Sequence, residues 1–233
     1  MAKIEILQNK KIMDTEIEEY YNALRTNVQF LGDDTKVIAI SSMSENEGKT
    51  TVSLNLAASL ARLGYKTMFI DADTRKSVLV GRFKTKGKIE GLTSYLSGVS
   101  AIEDVIYESD VENLNIIVAG KIPPNPTTLL QNTNFNVMMN VFREYYDYVI
   151  VDTPPIGLVV DAAIISRKCD GFAMVIESGK IKRKNLKKGV EQIEKAGAKY
   201  LGVILNKVDK KTVNYGGYGE YGGYGSYGNK NRK

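Results

Sequence analysis

Short apolar runs alternate with stretches of helical periodicity between residues 36 and 209, and this rhythm constrains the fold more than any other feature. The runs are KVIAIS, KTMFID, LNIIVA, YDYVIVD, GFAMVIE and YLGVILN. The stretches between them include TVSLNLAASLARLG and LKKGVEQIEKAG, in which apolar residues recur at the spacing of a helix face. Strands that are apolar on both faces are typical of a parallel sheet covered by helices on both sides. The sequence therefore predicts a three-layer α/β domain with a mostly parallel sheet.

The same rhythm divides the chain into three segments. Residues 36–209 form the predicted α/β domain, and TEIEEYYNALRTNVQFL predicts an amphipathic helix within a helical segment at residues 1–35. Residues 210–233 are dominated by glycine, tyrosine and lysine, a composition that favours disorder over a packed core.

The stretch SSMSENEGKTTVSLNLA follows the first strand of the domain and opens its first helix. Gly48-Lys49-Thr50 at a helix N-terminus presents backbone N–H groups and the positive end of the helix dipole to phosphate. Lys49 can then reach the β- and γ-phosphates, and Thr50 can bind Mg²⁺. In the full pattern G-x-x-x-x-G-K-[ST] the first glycine would fall at Met43, where the motif departs from its usual form. The predicted nucleotide-binding set is Glu47, Gly48, Lys49, Thr50, Thr51 and Asn206.

Three aspartates follow two other predicted strands. Asp71 and Asp73 end TMFIDAD, and Asp152 ends YDYVIVD. Because the carboxyl ends of parallel strands share one edge of the sheet, where ligands bind, we expect all three side chains to face the nucleotide. Asp152 resembles the aspartate that holds Mg²⁺ in proteins with this phosphate loop.

Composition narrows the chemistry and the location. The chain has 233 residues and contains no histidine, so proton transfer must fall to carboxylates, lysines or tyrosines. One cysteine, Cys169, and the lack of an apolar stretch of membrane-spanning length predict a cytoplasmic protein. The net charge of +5 is too small to require nucleic acid, but it is compatible with an acidic partner or an anionic lipid surface.

Five tyrosines recur at every third position in NYGGYGEYGGYGSYGNK: Tyr215, Tyr218, Tyr221, Tyr224 and Tyr227. This spacing matches neither a half-buried strand nor a helix face, so nothing in the pattern buries the rings. Either the rings bind a partner or their hydroxyl groups are modified. Phosphorylation would reverse the positive charge of the segment, since each phosphotyrosine adds about −1.5 to −2.

These motifs together resemble the cytoplasmic bacterial tyrosine kinases of capsule and exopolysaccharide synthesis, in the form where the kinase is separate from its membrane activator. The resemblance covers nearly the whole chain: MFIDADTR matches an acidic motif D-x-D-x-R through Arg75, PPNPTTLL occupies residues 123–130, and the tyrosines lie where the family is autophosphorylated. It implies ATP and Mg²⁺, with Lys49 on phosphate and Thr50 and Asp152 on the metal. Asp71 and Asp73 would share metal contact and the role of base, and which of them takes the proton stays open.

The resemblance also implies partners. The family phosphorylates its tail in trans within a homo-oligomer, works with a membrane-anchored activator of the polysaccharide export system, and is reset by a phosphotyrosine phosphatase. We therefore expect a peripheral location at the inner face of the cell membrane and no nucleic acid. An early family helix carries E-x-x-R-x-x-R and helps to close a ring; the matching residues are Glu19, Asn22 and Arg25, so asparagine replaces one arginine.

Other interpretations stay open at this point. NKVD at residues 206–209 follows a strand, where GTPases place a guanine-reading motif, and an ATP-dependent switch of the ParA or MinD type would carry a lysine at Ser44. A non-catalytic scaffold with adhesive tyrosines is the remaining alternative. The basic run KIKRKNLKKG between Lys180 and Lys188 is either a solvated helix face or a docking site for an acidic surface.

Overall fold

The computed structural model describes residues 2–6, 15–79, 83–84 and 89–209. The five tail tyrosines and the predicted segment 210–233 lie outside the described residues.

Strands build one large sheet and a small two-stranded ribbon. In the described residues they are β1 (Ala2–Lys3), β2 (Glu5–Ile6), β3 (Val37–Ser42), β4 (Thr67–Asp71), β5 (Phe83–Lys84), β6 (Tyr107–Glu108), β7 (Leu114–Ile117), β8 (Tyr148–Asp152), β9 (Gly171–Glu177) and β10 (Tyr200–Asn206). The six apolar runs of the sequence correspond to β3, β4, β7, β8, β9 and β10, as predicted.

Helices cover both faces of the sheet. Within the described ranges they are α1 (Thr15–Gln29), α2 (Lys49–Arg62), α3 (Leu92–Leu96), α4 (Pro126–Leu130), α5 (Thr133–Tyr145), α6 (Asp161–Ser166) and α7 (Arg183–Lys195), and a 3₁₀ turn lies at Ile102–Asp104. Gly64 and Gly197 follow α2 and α7 with φ of 99° and 92°, the left-handed conformation that a helix-terminating glycine adopts without strain.

The large sheet has the strand order β1-β6-β7-β4-β8-β3-β9-β10. The six predicted strands are consecutive neighbours and run parallel to one another. At one edge β6 pairs antiparallel with β7, and β1 pairs parallel with β6. The carboxyl ends of the parallel strands therefore share one edge, as the prediction required.

Residues along each central strand alternate between two apolar layers. On β4, Phe69 packs in the layer formed with α1 and α2, whereas Met68 and Ile70 pack in the layer that contains Phe135 and Met138 of α5. All five side chains are buried. This period of two on a strand covered from both sides confirms the three-layer α/β fold.

The N-terminal segment differs in part from its predicted helical character. Residues 2–6 are extended: β1 extends the large sheet, β2 pairs with Phe83–Lys84, and Ile4 and Ile6 are buried in the core. Strands of two residues carry no readable periodicity, which is why the sequence pattern missed them. The predicted helix is present as α1, and Val28 is buried against the domain.

Candidate active site

The phosphate loop lies between β3 and α2 at the carboxyl edge of the sheet. Gly48 precedes α2 with φ of 90° and ψ of 16°, a left-handed conformation that favours glycine. A Cβ atom at this position would lie 2.1 Å from the side-chain nitrogen of Asn206. Asn206 Nδ2 in turn donates to the carbonyl oxygen of Glu47 at 2.9 Å. The end of β10 therefore supports the loop from behind, and a side chain at position 48 would displace that of Asn206.

Glu47 supports the same loop with its own side chain. Its carboxylate is fully buried and accepts hydrogen bonds from the backbone nitrogens of Ser44 at 2.7 Å and Glu177 at 3.4 Å. Glu47 and Asn206 were both predicted to contact nucleotide. Their side chains bond to protein groups and neither residue lines the cavity in front of the loop, so contact of Glu47 or Asn206 with a nucleotide stays a prediction.

Lys49, Thr50, Asp73 and Asp152 form one hydrogen-bonded cluster at the start of α2. Lys49 Nζ lies 3.0 Å from Asp73 Oδ2 and 3.5 Å from Asp152 Oδ2. Thr50 Oγ1 donates to Asp152 Oδ2 at 2.6 Å, and Ser53 Oγ donates to Asp152 Oδ1 at 3.2 Å. The structure thus brings together four of the predicted residues and adds Ser53, which lies one helical turn beyond Lys49.

Asp71 lies behind this cluster. Its Oδ1 accepts the backbone N–H of Asp73 at 3.1 Å, and its Oδ2 accepts the hydroxyl of Ser77 at 2.5 Å. Burial, reinforced by the nearby charge of Asp152, raises the pKa of Asp71 from 3.8 to about 7. Asp71 therefore resists ionisation more than an ordinary aspartate does.

The other charged groups of the cluster shift one another's pKa values. Burial also raises the pKa of Asp152, and the opposing effect of Lys49 only partly offsets it. Burial by itself lowers the pKa of Lys49, but the carboxylates of Asp152 and Asp73 outweigh it, so that this pKa lies above its usual value. Lys49 therefore keeps its positive charge beside two acidic residues.

A cavity of about 430 Å³ opens in front of the cluster. Its wall includes Thr50, Thr51, Lys49 and Asp73, and an apolar side is formed by Pro154, Pro155, Leu158 and Val159. Concave pockets with an apolar wall and a few convergent polar groups are typical of small-molecule sites. Asp71 and Asp152 are not on the wall itself, and they act on the cavity through the residues in front of them.

The residues present fit a nucleoside triphosphate with a magnesium ion. The loop backbone approaches closely at Gly48, and Lys49 provides the cation that such a loop requires. Among the described residues, no group of three or more acidic, histidine or cysteine side chains forms a complete metal site. Mg²⁺ often binds through one or two protein oxygens together with phosphates, and Thr50 beside Asp152 supplies such a pair.

A further cluster, absent from the predicted site, meets the cavity wall at Arg75. Arg75, which lines the cavity, donates to the buried carboxylate of Asp161 from Nε at 2.6 Å and from Nη2 at 3.2 Å. Thr127 of the PPNPTTLL stretch donates to the same carboxylate at 2.8 Å. The motif D-x-D-x-R points to Arg75, but no local pattern links this arginine to Asp161 or Thr127.

The predicted oligomerisation residues lie on α1 with different surroundings. Glu19 is exposed. Arg25 Nη1 donates to Ser59 of α2, to its carbonyl oxygen and its hydroxyl, both at 3.2 Å, and Asn22 Oδ1 accepts from that hydroxyl at 3.3 Å. Asn22 and Arg25 thus attach α1 to its own domain, and their role between copies stays a prediction.

The predicted basic segment is exposed. Lys182, Arg183, Lys184, Lys187 and Lys188 have exposed side chains near the start of α7. Lys180 pairs with Glu177 at 2.9 Å. In the part of the chain that the structure describes, none of the helices has the length and hydropathy of a bilayer span.

A parallel sheet with a phosphate loop at its carboxyl edge, backed by the acidic residues of two neighbouring strands, defines the class of P-loop nucleotide-binding proteins. Residues 35–200 match the family described as an AAA domain. A tyrosine-protein kinase CpsD from Streptococcus agalactiae is 53% identical over 218 residues, which cover 94% of this chain and 95% of the relative. The chain belongs to this family of bacterial P-loop tyrosine-protein kinases.

Solved structures give the same assignment. The kinase domain of the Escherichia coli tyrosine kinase ETK superposes with a TM-score of 0.80 and 32% identity, covering 86% of this chain and 80% of that one. The chimerical protein CapA2B2 has a TM-score of 0.80 and 34% identity over 90% of this chain and 95% of its own. MinD from Pyrococcus horikoshii, solved with Mg-ADP, has a TM-score of 0.60 and 26% identity, covering 73% of this chain and 70% of MinD. The MinD-type alternative is therefore not favoured.

Proposed function

We propose that this protein is an ATP-dependent protein-tyrosine kinase that phosphorylates the tyrosine cluster at residues 215–227 of a second copy of itself. The observation that carries the proposal is the cluster of Lys49, Thr50, Asp73 and Asp152 at the wall of a nucleotide-sized cavity. The chain's similarity to tyrosine-protein kinases over nearly its whole length supports the choice of reaction. Capsular or exopolysaccharide synthesis is the process that such a kinase would regulate.

Transfer of a phosphoryl group depends mainly on positioning and on neutralising charge. The loop at Gly48 binds phosphate through its backbone, and Lys49 provides a fixed positive charge beside it. A bound Mg²⁺ would neutralise charge on the β- and γ-phosphate oxygens, and Thr50 and Asp152, with Asp73, are the residues that would hold it. Pro154, Pro155 and Leu158 form the apolar side of the cavity, against which the rest of the nucleotide would pack.

A tyrosine hydroxyl must lose its proton as it attacks, because its ordinary pKa is about 10. In a chain without histidine, the carboxylates at the end of β4 are the acceptors that we assign to this proton. Asp73 lies on the cavity wall and Asp71 lies behind it, bonded to the backbone of Asp73. We infer that the pair shares metal contact and proton acceptance, and Asp71→Asn and Asp73→Asn measured separately would divide the two roles.

The proposed partners follow from the same assignment. A membrane-anchored activator, a homo-oligomer and a phosphotyrosine phosphatase would complete the system. The similar protein CapA2B2 is a chimera, which fits a kinase that works with a second protein. The exposed basic segment at the start of α7 offers a surface for an acidic activator tail or for anionic lipid, which would place the protein at the inner face of the membrane.

Transfer of radioactive phosphate from labelled ATP to the purified chain tests the activity. Label should appear on tyrosine in the wild type and should be absent from Lys49→Met. The same assay with labelled GTP tests the GTPase alternative, because a guanine-reading NKVD motif would make GTP the better substrate. Nucleotide binding without transfer to tyrosine would leave the scaffold interpretation and would refute the kinase.

A further inference from the structure

Arg75 is held at the cavity by a carboxylate that is itself out of reach of solvent. The side chain of Asp161 is 0% exposed, whereas that of Arg75 is 38% exposed. Asp161 Oδ2 accepts from Arg75 Nε, and Oδ1 accepts from both Arg75 Nη2 and Thr127. A buried carboxylate needs a paired cation. Asp161 therefore fixes the position of Arg75, and Arg75 neutralises the charge of Asp161.

The hydrogen bonds of Arg75 leave one nitrogen of its guanidinium, Nη1, available to a ligand. A guanidinium has five N–H donors. Nε donates to Asp161, and Nη2 donates to Asp161 and, at 2.9 Å, to Thr127 Oγ1. Nη1 makes no hydrogen bond to any residue within the described ranges. Since Arg75 lines the cavity and the buried Asp161 does not, we expect this unused nitrogen to be the part of the side chain that a ligand in the cavity would meet.

The other cations on the cavity wall are engaged elsewhere. Lys49 pairs with Asp73 and Asp152, Lys76 pairs with Glu45 at 2.7 Å, and Lys207 pairs with Glu177 at 3.0 Å. Arg75 is different because its fully buried partner, Asp161, is also bonded by Thr127 of a separate helix. Three segments meet there: the loop after β4, α4 through Thr127, and α6 through Asp161.

We propose that Arg75 contacts the phosphoryl group that is transferred, and that Asp161 and Thr127 are positioning residues that orient its guanidinium toward that group. The inference rests on the proposed nucleotide binding. Arginine donates charge-assisted hydrogen bonds to phosphate oxygens and stays charged at every physiological pH. With Nε and Nη2 held by Asp161 and Thr127, Nη1 meets the terminal phosphoryl group without first losing conformational freedom. Lysine cannot replace it, because one ammonium group cannot bind both oxygens of Asp161 and still keep a separate nitrogen for the phosphoryl group.

Binding of two nucleotides to the full chain separates this role from a structural one. Affinities for ADP and for a non-hydrolysable ATP analogue are measured with Mg²⁺ for the wild type, Arg75→Ala, Asp161→Asn, Thr127→Val and Thr127→Ser. If Arg75 contacts the terminal phosphoryl group, Arg75→Ala lowers the affinity for the ATP analogue by about tenfold, as expected for the loss of one charge-assisted hydrogen bond. The affinity for ADP stays unchanged. Asp161→Asn and Thr127→Val also lower the affinity for the analogue, by smaller factors, and Thr127→Ser retains wild-type affinity.

Arg143→Ala is the matched control. Arg143 donates to Asp170 from Nε at 3.2 Å and from Nη2 at 2.9 Å, a pair of similar geometry that does not line the cavity. It should leave the affinities for both nucleotides unchanged. Equal loss of ADP and analogue binding in Arg75→Ala, or no loss of either, would overturn the proposal. A wild-type chain that binds neither nucleotide would overturn the proposed function and this inference with it, whereas normal ADP binding isolates the failure to Arg75.

Discussion

Asp71 and Asp152 are register partners at the carboxyl ends of β4 and β8, and each is 1% exposed. Two acidic side chains therefore lie side by side where the sheet opens to the cavity. Lys49 offsets part of their repulsion, but burial and Asp152 still raise the pKa of Asp71 to about 7. This unfavourable pair of buried carboxylates lies at the place where a metal ion and phosphates would bind.

The first prediction concerns the pH dependence of stability in the absence of metal and nucleotide. The pKa of Asp71 rises from 3.8 to about 7 on folding, so the contribution of this group to stability is full below pH 3.8 and is lost as the pH rises to about 7. Asp71→Asn removes this loss of stability at high pH, because asparagine does not ionise. We expect the variant to melt above the wild type at pH 8, by roughly 2–4 °C for each kcal/mol regained, and the difference to shrink toward pH 4.

Thermal unfolding in EDTA between pH 4 and 8 measures this effect. Asp34→Asn is the control, because Asp34 is exposed and its curve should follow the wild type. Parallel curves for the wild type and Asp71→Asn over the whole range would show that Asp71 is ionised in the fold and that the account of its environment is wrong.

A second prediction concerns Gly48. Alanine there would bring Cβ within 2.1 Å of Asn206 Nδ2 and would force a side chain into φ of 90°. Such a conformation costs on the order of 1–3 kcal/mol, and the loop would move away from the phosphate. We expect Gly48→Ala to weaken ATP binding by at least about tenfold, as measured by titration calorimetry. Adding Asn206→Ala should recover only part of the loss, since it relieves the contact but not the φ angle; full recovery would contradict the backbone argument.

Lys49 gives the third prediction, in two independent measurements. Lys49→Met removes the cation beside Asp73 and Asp152, so autophosphorylation should fall by at least about 10²-fold, and the variant should unfold at a lower temperature in EDTA at pH 8. Lys3→Met is the control: the pair of Lys3 with Glu108 is exposed and does not line the cavity, and such a pair contributes less than about 1 kcal/mol. A Lys49→Met protein with wild-type kinase activity would exclude Lys49 from the site.

The contacts of α1 lead to a fourth prediction. Arg25→Ala breaks the hydrogen bonds to Ser59 within one chain, so it should lower the free energy of unfolding by about 1–2 kcal/mol. Glu19 is exposed, and Glu19→Lys should change that quantity by less than about 0.5 kcal/mol. If α1 also joins neighbouring copies, Glu19→Lys will reduce the mass seen by light scattering at high concentration. An unchanged mass distribution would remove Glu19 from the predicted interface.

The sequence predicted the central part of the fold because that part has strong local signals. Each of the six parallel strands is an apolar run bounded by polar or helical sequence, and the aspartates at 71, 73 and 152 meet because parallel strands end at a common edge. The phosphate loop was predicted despite Met43, since Gly48-Lys49-Thr50 alone satisfies the needs of a helix N-terminus that binds phosphate.

The remainder depends on contacts between distant parts of the chain. Arg75 and Asp161 are 86 residues apart, and Asp161 by itself is only an acidic residue in the first turn of a short helix. The antiparallel edge formed by β6 could not be predicted from a strand of two residues. The inward direction of Asn22 and Arg25 follows from the packing of α1 on α2, which a helical period does not specify.

The most direct test of the kinase assignment is phosphopeptide mass spectrometry of the purified chain after incubation with ATP and Mg²⁺, alongside Lys49→Met and a variant with Tyr215, Tyr218, Tyr221, Tyr224 and Tyr227 changed to phenylalanine. The account predicts phosphate on the tail tyrosines of the wild type, none in Lys49→Met, and loss of most phosphate in the phenylalanine variant with nucleotide binding retained. Tyr145, Tyr146 and Tyr148 lie at the amino end of β8, the edge of the sheet opposite the cavity. Phosphate mapped mainly to these three residues, or no tyrosine phosphate in the wild type, would contradict the account.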